Sequence, residues 1–222
     1  MHRRLEAWNE AKEALQRSLR LVEAAGDKEK RAAALVNLGF IVETHGERAE
    51  AEEYLKLALV LAEELDDKEK AVAALGGLGN IASIYGEPDR AEAHLKRALA
   101  LNEELGYKKG MLIQLEKLSE VAVAREDLAK FGEYSRQTLV LAEEQGDKEK
   151  MAMALAGLGA VAKERGQRTE AERYCWRAIA LNEELIRKEL MATGPASLAF
   201  IRRESRELPQ VGKYARLSKN LI

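Results

Sequence analysis

The side chains that could support catalysis or metal binding are few in this chain of 222 residues. It contains one cysteine, Cys175, and three histidines, of which His45 and His94 lie well inside the sequence. A catalytic thiol requires a basic partner, and a zinc site requires several Cys or His ligands at short spacing. Because neither arrangement occurs in the sequence, we predict that the chain is not an enzyme and holds no metal and no cofactor.

Two further patterns are similar to ligand-binding or catalytic motifs. Gly76-Gly77-Leu78-Gly79 is similar to a phosphate-binding loop, but it lies in a segment of helical periodicity and no strand precedes it. Adjacent glutamates occur at 63–64, 103–104, 143–144 and 183–184, each pair followed by a lysine four residues after its second member. That spacing is typical of a solvated helix end. We therefore interpret the glycines as packing positions and the glutamates as a solvated surface.

The spacing of the glutamate pairs reflects an internal repeat of forty residues. The tetrapeptide Asp-Lys-Glu-Lys occurs at 27–30, 67–70 and 147–150, and Leu-Gly occurs at 38–39, 78–79 and 158–159. No insertion or deletion interrupts the register from about residue 8 onward. We predict a single domain, 1–222, with an N-terminal B-type helix at 5–26, full repeats at 27–66, 67–106, 107–146 and 147–186, and a divergent C-terminal repeat or cap at 187–222.

Each repeat contains two runs of helical periodicity. Apolar residues recur three and four positions apart, as in Leu35, Leu38 and Val42. A glycine such as Gly46 separates the two runs and can adopt the left-handed conformation that ends a helix, and Asp27 can cap the next helix. We predict helix A at about 28–45 and helix B at about 48–65. Since two such helices cannot bury their apolar faces alone, stacked hairpins form an all-α solenoid.

The repeat resembles the tetratricopeptide repeat. That family requires Leu-Gly in helix A, then a small residue, a bulky residue and an alanine in helix B, which are present as Leu38-Gly39, Ala51, Leu55 and Ala58. The forty-residue length, with Leu-Gly-Asn at 78–80 and Leu-Ala-Glu-Glu-Leu at 61–65, is similar to Pins-type adaptors and bacterial signalling regulators. The resemblance implies a right-handed superhelix of antiparallel helix hairpins.

The resemblance also implies a peptide-binding groove lined by helix A. Carried over by repeat position, the lining residues are Val36, Asn37, Phe40, Glu43, Gly76, Asn80, Ser83, Ile113, Glu116, Lys117, Glu120, Met153, Ala156, Ala160 and Lys163. Most are small or apolar, which suits an extended peptide or an amphipathic helix, with Asn37 and Asn80 holding its backbone. The polar positions with which chaperone-binding members grip a C-terminal carboxylate are not reproduced, because Val36, Phe40 and Ile113 occupy them.

The repeat pattern changes at both ends of the chain. The chain starts on a helix B, and the missing helix A leaves apolar surface that makes this end a candidate for self-association. At the other end we expect helix B of the fourth full repeat to continue past residue 185, with further helices starting near Pro195 and Pro209.

The third full repeat departs most from the others, with Ser119 at the Gly place, Phe131 at the small-residue place and Ser135 at the bulky place. We expect Phe131 and Ser135 to have exchanged volume. Two interpretations are compatible with these residues. The repeat has lost the pattern without gaining a function, or it forms a bend that shapes the groove.

Four more residues differ from their equivalents in other repeats or invite a functional interpretation. Cys175 replaces a leucine and is expected to be a buried hydrophobe, and His94 replaces a tyrosine and is expected to pack. His45 lies at a helix end, where partial positive charge is favourable. Trp176 replaces Lys or Arg and is either a surface anchor for a partner or a cover for altered surface.

Composition limits the partners and the location. The net charge of −2 makes nucleic acid an unlikely partner, although basic residues concentrate in 186–222. No apolar run approaches the roughly 20 residues of a membrane span, so we expect no membrane contact and a cytoplasmic location. We predict a protein–protein interaction scaffold that binds a peptide or helical segment of a protein partner. The alternative is a regulatory or sensor module of a signalling or transcription regulator that responds to a peptide or small molecule.

Overall fold

The computed structural model describes residues 2–193, which form helices joined by short turns and contain no strand. The helices are α1 (His2–Ala25), α2 (Lys28–Glu43), α3 (Arg48–Glu64), α4 (Lys68–Ile84), α5 (Pro88–Glu104), α6 (Lys108–Ala124), α7 (Leu128–Gln145), α8 (Lys148–Glu164) and α9 (Arg168–Thr193). The predicted all-α helical repeat is confirmed. As expected, α9 continues past residue 185; the expected helices near Pro195 and Pro209 lie outside the described residues.

The helices group into two compact units. Unit 1 ends at Glu126 and contains α1 to α6, and unit 2 begins at Asp127 and contains α7 to α9. Within each unit, helices that follow one another in the chain pack side by side. The single domain predicted for 1–222 stays a prediction.

Local sequence signals set the helix ends. The side chains of Asp27, Asp67 and Asp147 accept hydrogen bonds from the main-chain N–H groups of Lys30, Lys70 and Lys150, at 2.9 to 3.0 Å. Each bond satisfies one of the free amides of the first helical turn. The hydrogen bond from the Lys30 side chain also lowers the pKa of the Asp27 carboxyl below its ordinary value. The expected caps are confirmed.

The turns between helices require a left-handed residue. Gly46, Gly86 and Gly166 have φ of 82°, 72° and 72°, a conformation that glycine adopts without steric cost. Two turns place other residues there, with φ of 52° at Asp66 and 55° at Glu126.

The core of unit 1 is built on close contact between paired helices. Gly39 and Gly79 lie against helix B, where an added Cβ would come within 2.6 Å of Leu55 Cγ and 2.7 Å of Leu95 Cγ respectively. Real Cβ atoms do not approach other atoms so closely, so these positions require glycine. Leu55 and Leu95 are fully buried. The Leu-Gly motif therefore permits the close helix–helix approach of each hairpin.

The partial repeat is joined to the first hairpin by polar and aromatic contacts. The Trp8 ring stacks on the His45 ring with centroids 4.3 Å apart, and Lys12 Nζ lies 2.5 Å from Glu47 and 2.6 Å from Glu50. Leu21, on the same helix, is 72% exposed. Self-association through this end stays a prediction.

Unit 2 shows how the divergent repeat packs. At Gly157 an added Cβ would meet Ser135 Oγ at 2.7 Å and Phe131 Cζ at 3.1 Å. At the equivalent Gly77 of unit 1 the neighbours are Leu55 Cδ1 at 2.8 Å and Phe40 Cε1 at 3.0 Å. Ser135 occupies the Leu55 place with a smaller side chain, and the Phe131 ring lies beside it. This arrangement matches the expected exchange of volume between the two positions.

Candidate interaction site

Unit 1 contains a cleft between α2, α4 and α6, with a volume of about 470 Å³. It is lined by Phe40, Glu43, Val72, Ala73, Gly76, Gly77, Asn80, Ile113, Gln114 and Lys117. All of these residues lie on A-type helices. The forty-residue step places them at similar heights on successive helices, which is why side chains distant in sequence meet here.

The structure brings together part of the predicted groove. Phe40, Glu43, Gly76, Asn80, Ile113 and Lys117 all line the cleft of unit 1, whereas Asn37, Ser83, Glu116 and Glu120 do not. Val36 was expected in the lining but is only 7% exposed and belongs to the hydrophobic core. It is buried because α2 packs against both α3 and α4.

The polar side chains at the cleft are bonded to one another. Asn80 Nδ2 donates a hydrogen bond to Glu43 Oε1, so the amide expected to hold a partner's backbone is already engaged. Lys117 Nζ donates to Glu120 Oε2 at 3.0 Å. The first pair joins two lining residues on neighbouring helices, and the second joins a lining residue to the next turn of the same helix. The other large side chains of the lining are mostly apolar.

Gln114 is a cleft residue that the sequence analysis missed. Its side chain is 6% exposed, and its Oε1 atom has no hydrogen-bond partner among the described residues. Leaving a buried acceptor unpaired costs about 1–3 kcal/mol. The signal that could have found it is the repeat register, because the equivalent residues Ala34, Ala74 and Ala154 are all alanine.

A second cleft, of about 520 Å³, lies between α8 and α9 in unit 2. Its lining includes the predicted residues Ala156, Ala160, Lys163 and Trp176, whereas Met153 lies outside it and is 44% exposed. Trp176 is partly buried in this lining, and its role as a partner anchor stays a prediction.

The prediction that Cys175 is buried is wrong. Cys175 is exposed and lines the cleft of unit 2. Its unit 1 equivalent, Leu55, is covered by α4, the helix A of the next repeat. No helix follows α9 among the described residues.

The glutamate pairs have partners other than those expected from their spacing. Lys28 Nζ lies 2.9 Å from Glu64, Lys68 Nζ lies 2.8 Å from Glu104, and Lys148 pairs with Glu184. Each of these ion pairs joins the start of helix A to the end of helix B in one repeat. The glutamates thus bridge the open end of the hairpin and do not simply face solvent beside the following lysine.

The perturbed titratable groups belong to structural contacts. Hydrogen bonds from Lys56, Arg48 and Arg90 lower the pKa of Glu52 to about 2. Burial lowers the pKa of His94, and the nearby positive charge of Arg90 lowers it further. Within residues 2–193, no cluster of three or more His, Cys, Asp or Glu side chains could hold a metal ion. None of the helices in that range combines the length and hydropathy that crossing a membrane requires.

Two family models, both described as the tetratricopeptide repeat, match the chain. One matches residues 1–64 and 31–104, and the other matches residues 151–186. The matched residues make up more than half of the chain. The chain belongs to the tetratricopeptide repeat family. Members of this family commonly bind protein partners, and this tetratricopeptide repeat chain is a protein–protein interaction scaffold.

Solved structures with the same fold include three repeat proteins. BtubC (BKLC) from P. vanneervenii has a TM-score of 0.73 at 19% identity, covering 82% of this chain and 76% of that one. A putative kinesin light chain with TPR-like repeats from Podospora anserina has a TM-score of 0.67 at 16% identity, covering 82% and 90%. MamA has a TM-score of 0.62 at 23% identity, covering 83% and 94%. These tetratricopeptide-like neighbours establish the fold. A search of curated protein sequences finds no significant match.

Proposed function

We propose that the chain binds a peptide segment of a partner protein in the cleft of unit 1. The observation that carries this proposal is the pair of large apolar side chains at the cleft, Phe40 and Ile113, which are 36% and 52% exposed. They lie on α2 and α6, on either side of α4. Burying apolar surface of this kind under a partner is favourable by about 25 cal/mol per Å².

The floor of the cleft is open because it is built from small residues. Ala73, Gly76 and Gly77 on α4 lie between the two large side chains. At Gly77 an added Cβ would lie 2.8 Å from Leu55 Cδ1 and 3.0 Å from Phe40 Cε1, so no other residue fits there without displacement. The side chains of Leu55 and Phe40 fill the space over Gly77, and room for a side chain of the partner lies over Gly76, where an added Cβ would approach no atom closer than 3.6 Å.

The edges of the cleft are polar. The Glu43–Asn80 and Lys117–Glu120 pairs surround the apolar middle. An apolar centre with a polar rim is the usual composition of a protein interface. The cleft of unit 2 is lined by a different set of residues, and the proposal places the peptide site in unit 1.

The test begins with peptides selected from a random peptide library by binding to the wild-type chain. Replacing both Phe40 and Ile113 with Glu removes the apolar contacts and introduces charge, so we expect affinity for the selected peptides to fall at least about tenfold. Affinity is measured by isothermal titration calorimetry, and thermal unfolding confirms that the variant folds.

Val60→Glu is the matched control. Val60 is a similarly exposed aliphatic residue, 53% exposed, on α3 and outside the cleft. The control is expected to bind like the wild type. Equal binding by the Phe40 and Ile113 double variant, or equal loss in the control, contradicts the proposed site.

A further inference from the structure

Two buried amide side chains of unit 1 carry unpaired polar atoms. Gln114 is 6% exposed with its Oε1 unpaired, and Asn102 is fully buried with both Oδ1 and Nδ2 unpaired. In each case the neighbouring repeats carry alanine at the equivalent position, as Ala62 and Ala142 do for Asn102. Buried polar groups without partners are uncommon in folded proteins, so each of these two requires an explanation.

The surroundings of the two amides differ. Asn102 packs into the space that a Cβ at Gly110 would occupy, and it does not line the cleft. Gln114 lines the cleft and lies beside Gly76, where an added Cβ would be 3.6 Å from Nε2 and 3.8 Å from Oε1. Those are ordinary contact distances, so the Gln114 amide packs against the face of Gly76 that carries no side chain.

The chemistry around Gln114 selects the group that would bond to it. Oε1 is a neutral acceptor, and the apolar side chains of Val72 and Ile113 line the same cleft. The nearby Glu43 carboxylate already accepts from Asn80. A neutral N–H donor loses far less hydration there than a cationic group does.

An extended segment supplies such donors along its length. Its main-chain N–H groups are not used internally, whereas those of a helix beyond the first turn are already bonded to its own carbonyl groups. We infer that Gln114 is a specificity-determining contact of the cleft: Oε1 accepts a hydrogen bond from a main-chain N–H of an extended partner segment, next to an apolar side chain seated between Phe40 and Ile113. This inference rests on the proposed function.

The experiment uses the full chain and the peptides selected on it. Each peptide is resynthesised with single N-methyl groups at successive positions, which remove one main-chain donor at a time. We expect one N-methyl position to weaken binding to the wild type about tenfold. The same N-methyl group should weaken binding to Gln114→Ala very little, because that variant already lacks the acceptor. The unmodified peptide should bind Gln114→Ala about tenfold more weakly than it binds the wild type.

Asn102→Ala is the matched control, because it also replaces a buried unpaired amide with the residue found in neighbouring repeats. It is expected to keep the wild-type affinity and the wild-type pattern of N-methyl losses. Both variants are expected to fold with a midpoint of thermal unfolding equal to or above that of the wild type, since each removes an unpaired buried group.

The outcomes separate this inference from the proposed function. Equal N-methyl losses in Gln114→Ala and the wild type, or unchanged affinity of Gln114→Ala, overturn the role of Gln114 while Phe40-dependent binding still stands. Equal weakening by Asn102→Ala also overturns it. Selected peptides that are helical when bound, and that lose affinity for the wild type and for Gln114→Ala alike at every N-methyl group beyond their first turn, overturn the extended geometry. Binding that does not depend on Phe40 and Ile113 contradicts the proposed function itself.

Discussion

Single charged residues in this protein link successive repeats. Glu52 on α3 is 13% exposed at its side chain and contacts three cations, Lys56 at 2.8 Å, Arg48 at 2.9 Å and Arg90 at 3.0 Å. Arg90 lies on α5, so this carboxylate links the helices B of two successive repeats. A partly buried network of this kind contributes more to stability than an isolated surface ion pair.

Glu52→Gln is expected to make stability depend less on pH. The folded pKa of about 2 lies below the ordinary value of 4.5, so the charged group stabilises the fold above pH 4.5. That stabilisation is lost as the pH falls from about 4.5 through about 2. At pH 7 the free energy of unfolding of the wild type should exceed that of the variant by at most about 3 kcal/mol. This difference should shrink as the pH is lowered.

Urea unfolding of both proteins at several pH values between 7 and 2 measures this difference. Glu53→Gln is the control, because Glu53 is the exposed neighbour of Glu52 on the same helix. A constant difference between the wild type and Glu52→Gln across that range would show that the contacts of Glu52 do not depress its pKa.

At the scale of helices and turns, the sequence predicts the boundaries closely. Helix A was expected at about 28–45 and is observed at Lys28–Glu43, and helix B was expected at about 48–65 and is observed at Arg48–Glu64. These boundaries depend on caps and glycine turns, which act over a few residues. The turn between α3 and α4 is an exception to the glycine pattern, because Asp66 occupies the left-handed position with φ of 52°.

Replacing Asp66 with Gly is expected to stabilise unit 1 by about 1 kcal/mol. A left-handed conformation costs a non-glycine residue roughly 1–2 kcal/mol, and part of that gain is offset by the greater freedom of glycine in the unfolded chain. The reverse change at an equivalent conformation, Gly86→Ala at φ of 72°, should destabilise the fold by a similar amount. Thermal and urea unfolding of the two variants check the pair; shifts in the same direction would contradict this explanation.

At the scale of the whole chain, the repeats place most of their contacts between neighbouring helices. In unit 1, α4 packs against α3 and α5 and also contacts α2 and α6, whereas α1 packs against α2 alone among the described helices. Leu75 and Ile81 on α4 are fully buried. Stability in such an arrangement is approximately a sum of contributions from individual repeats and from their interfaces with neighbours.

Hydrogen exchange should therefore differ along unit 1. We expect the main-chain amides of α4 to exchange most slowly and those of α1 to exchange fastest, because opening α1 breaks one helix interface and opening α4 breaks several. Native-state exchange followed by mass spectrometry measures this order. Equal protection of α1 and α4 would indicate that unit 1 opens only as a whole.

The sequence by itself determined the forty-residue period, the all-α class, the capping aspartates and the positions of the turns. These features depend on interactions between residues a few positions apart, which a single sequence displays directly. Tertiary structure decided that Val36 is buried, that Asn80 bonds to Glu43 and that Cys175 is exposed. It also placed Gln114 in the cleft with Phe40 and Ile113. Those outcomes depend on how helices pack against others about forty residues away, and a repeat position alone does not specify which side chains meet there.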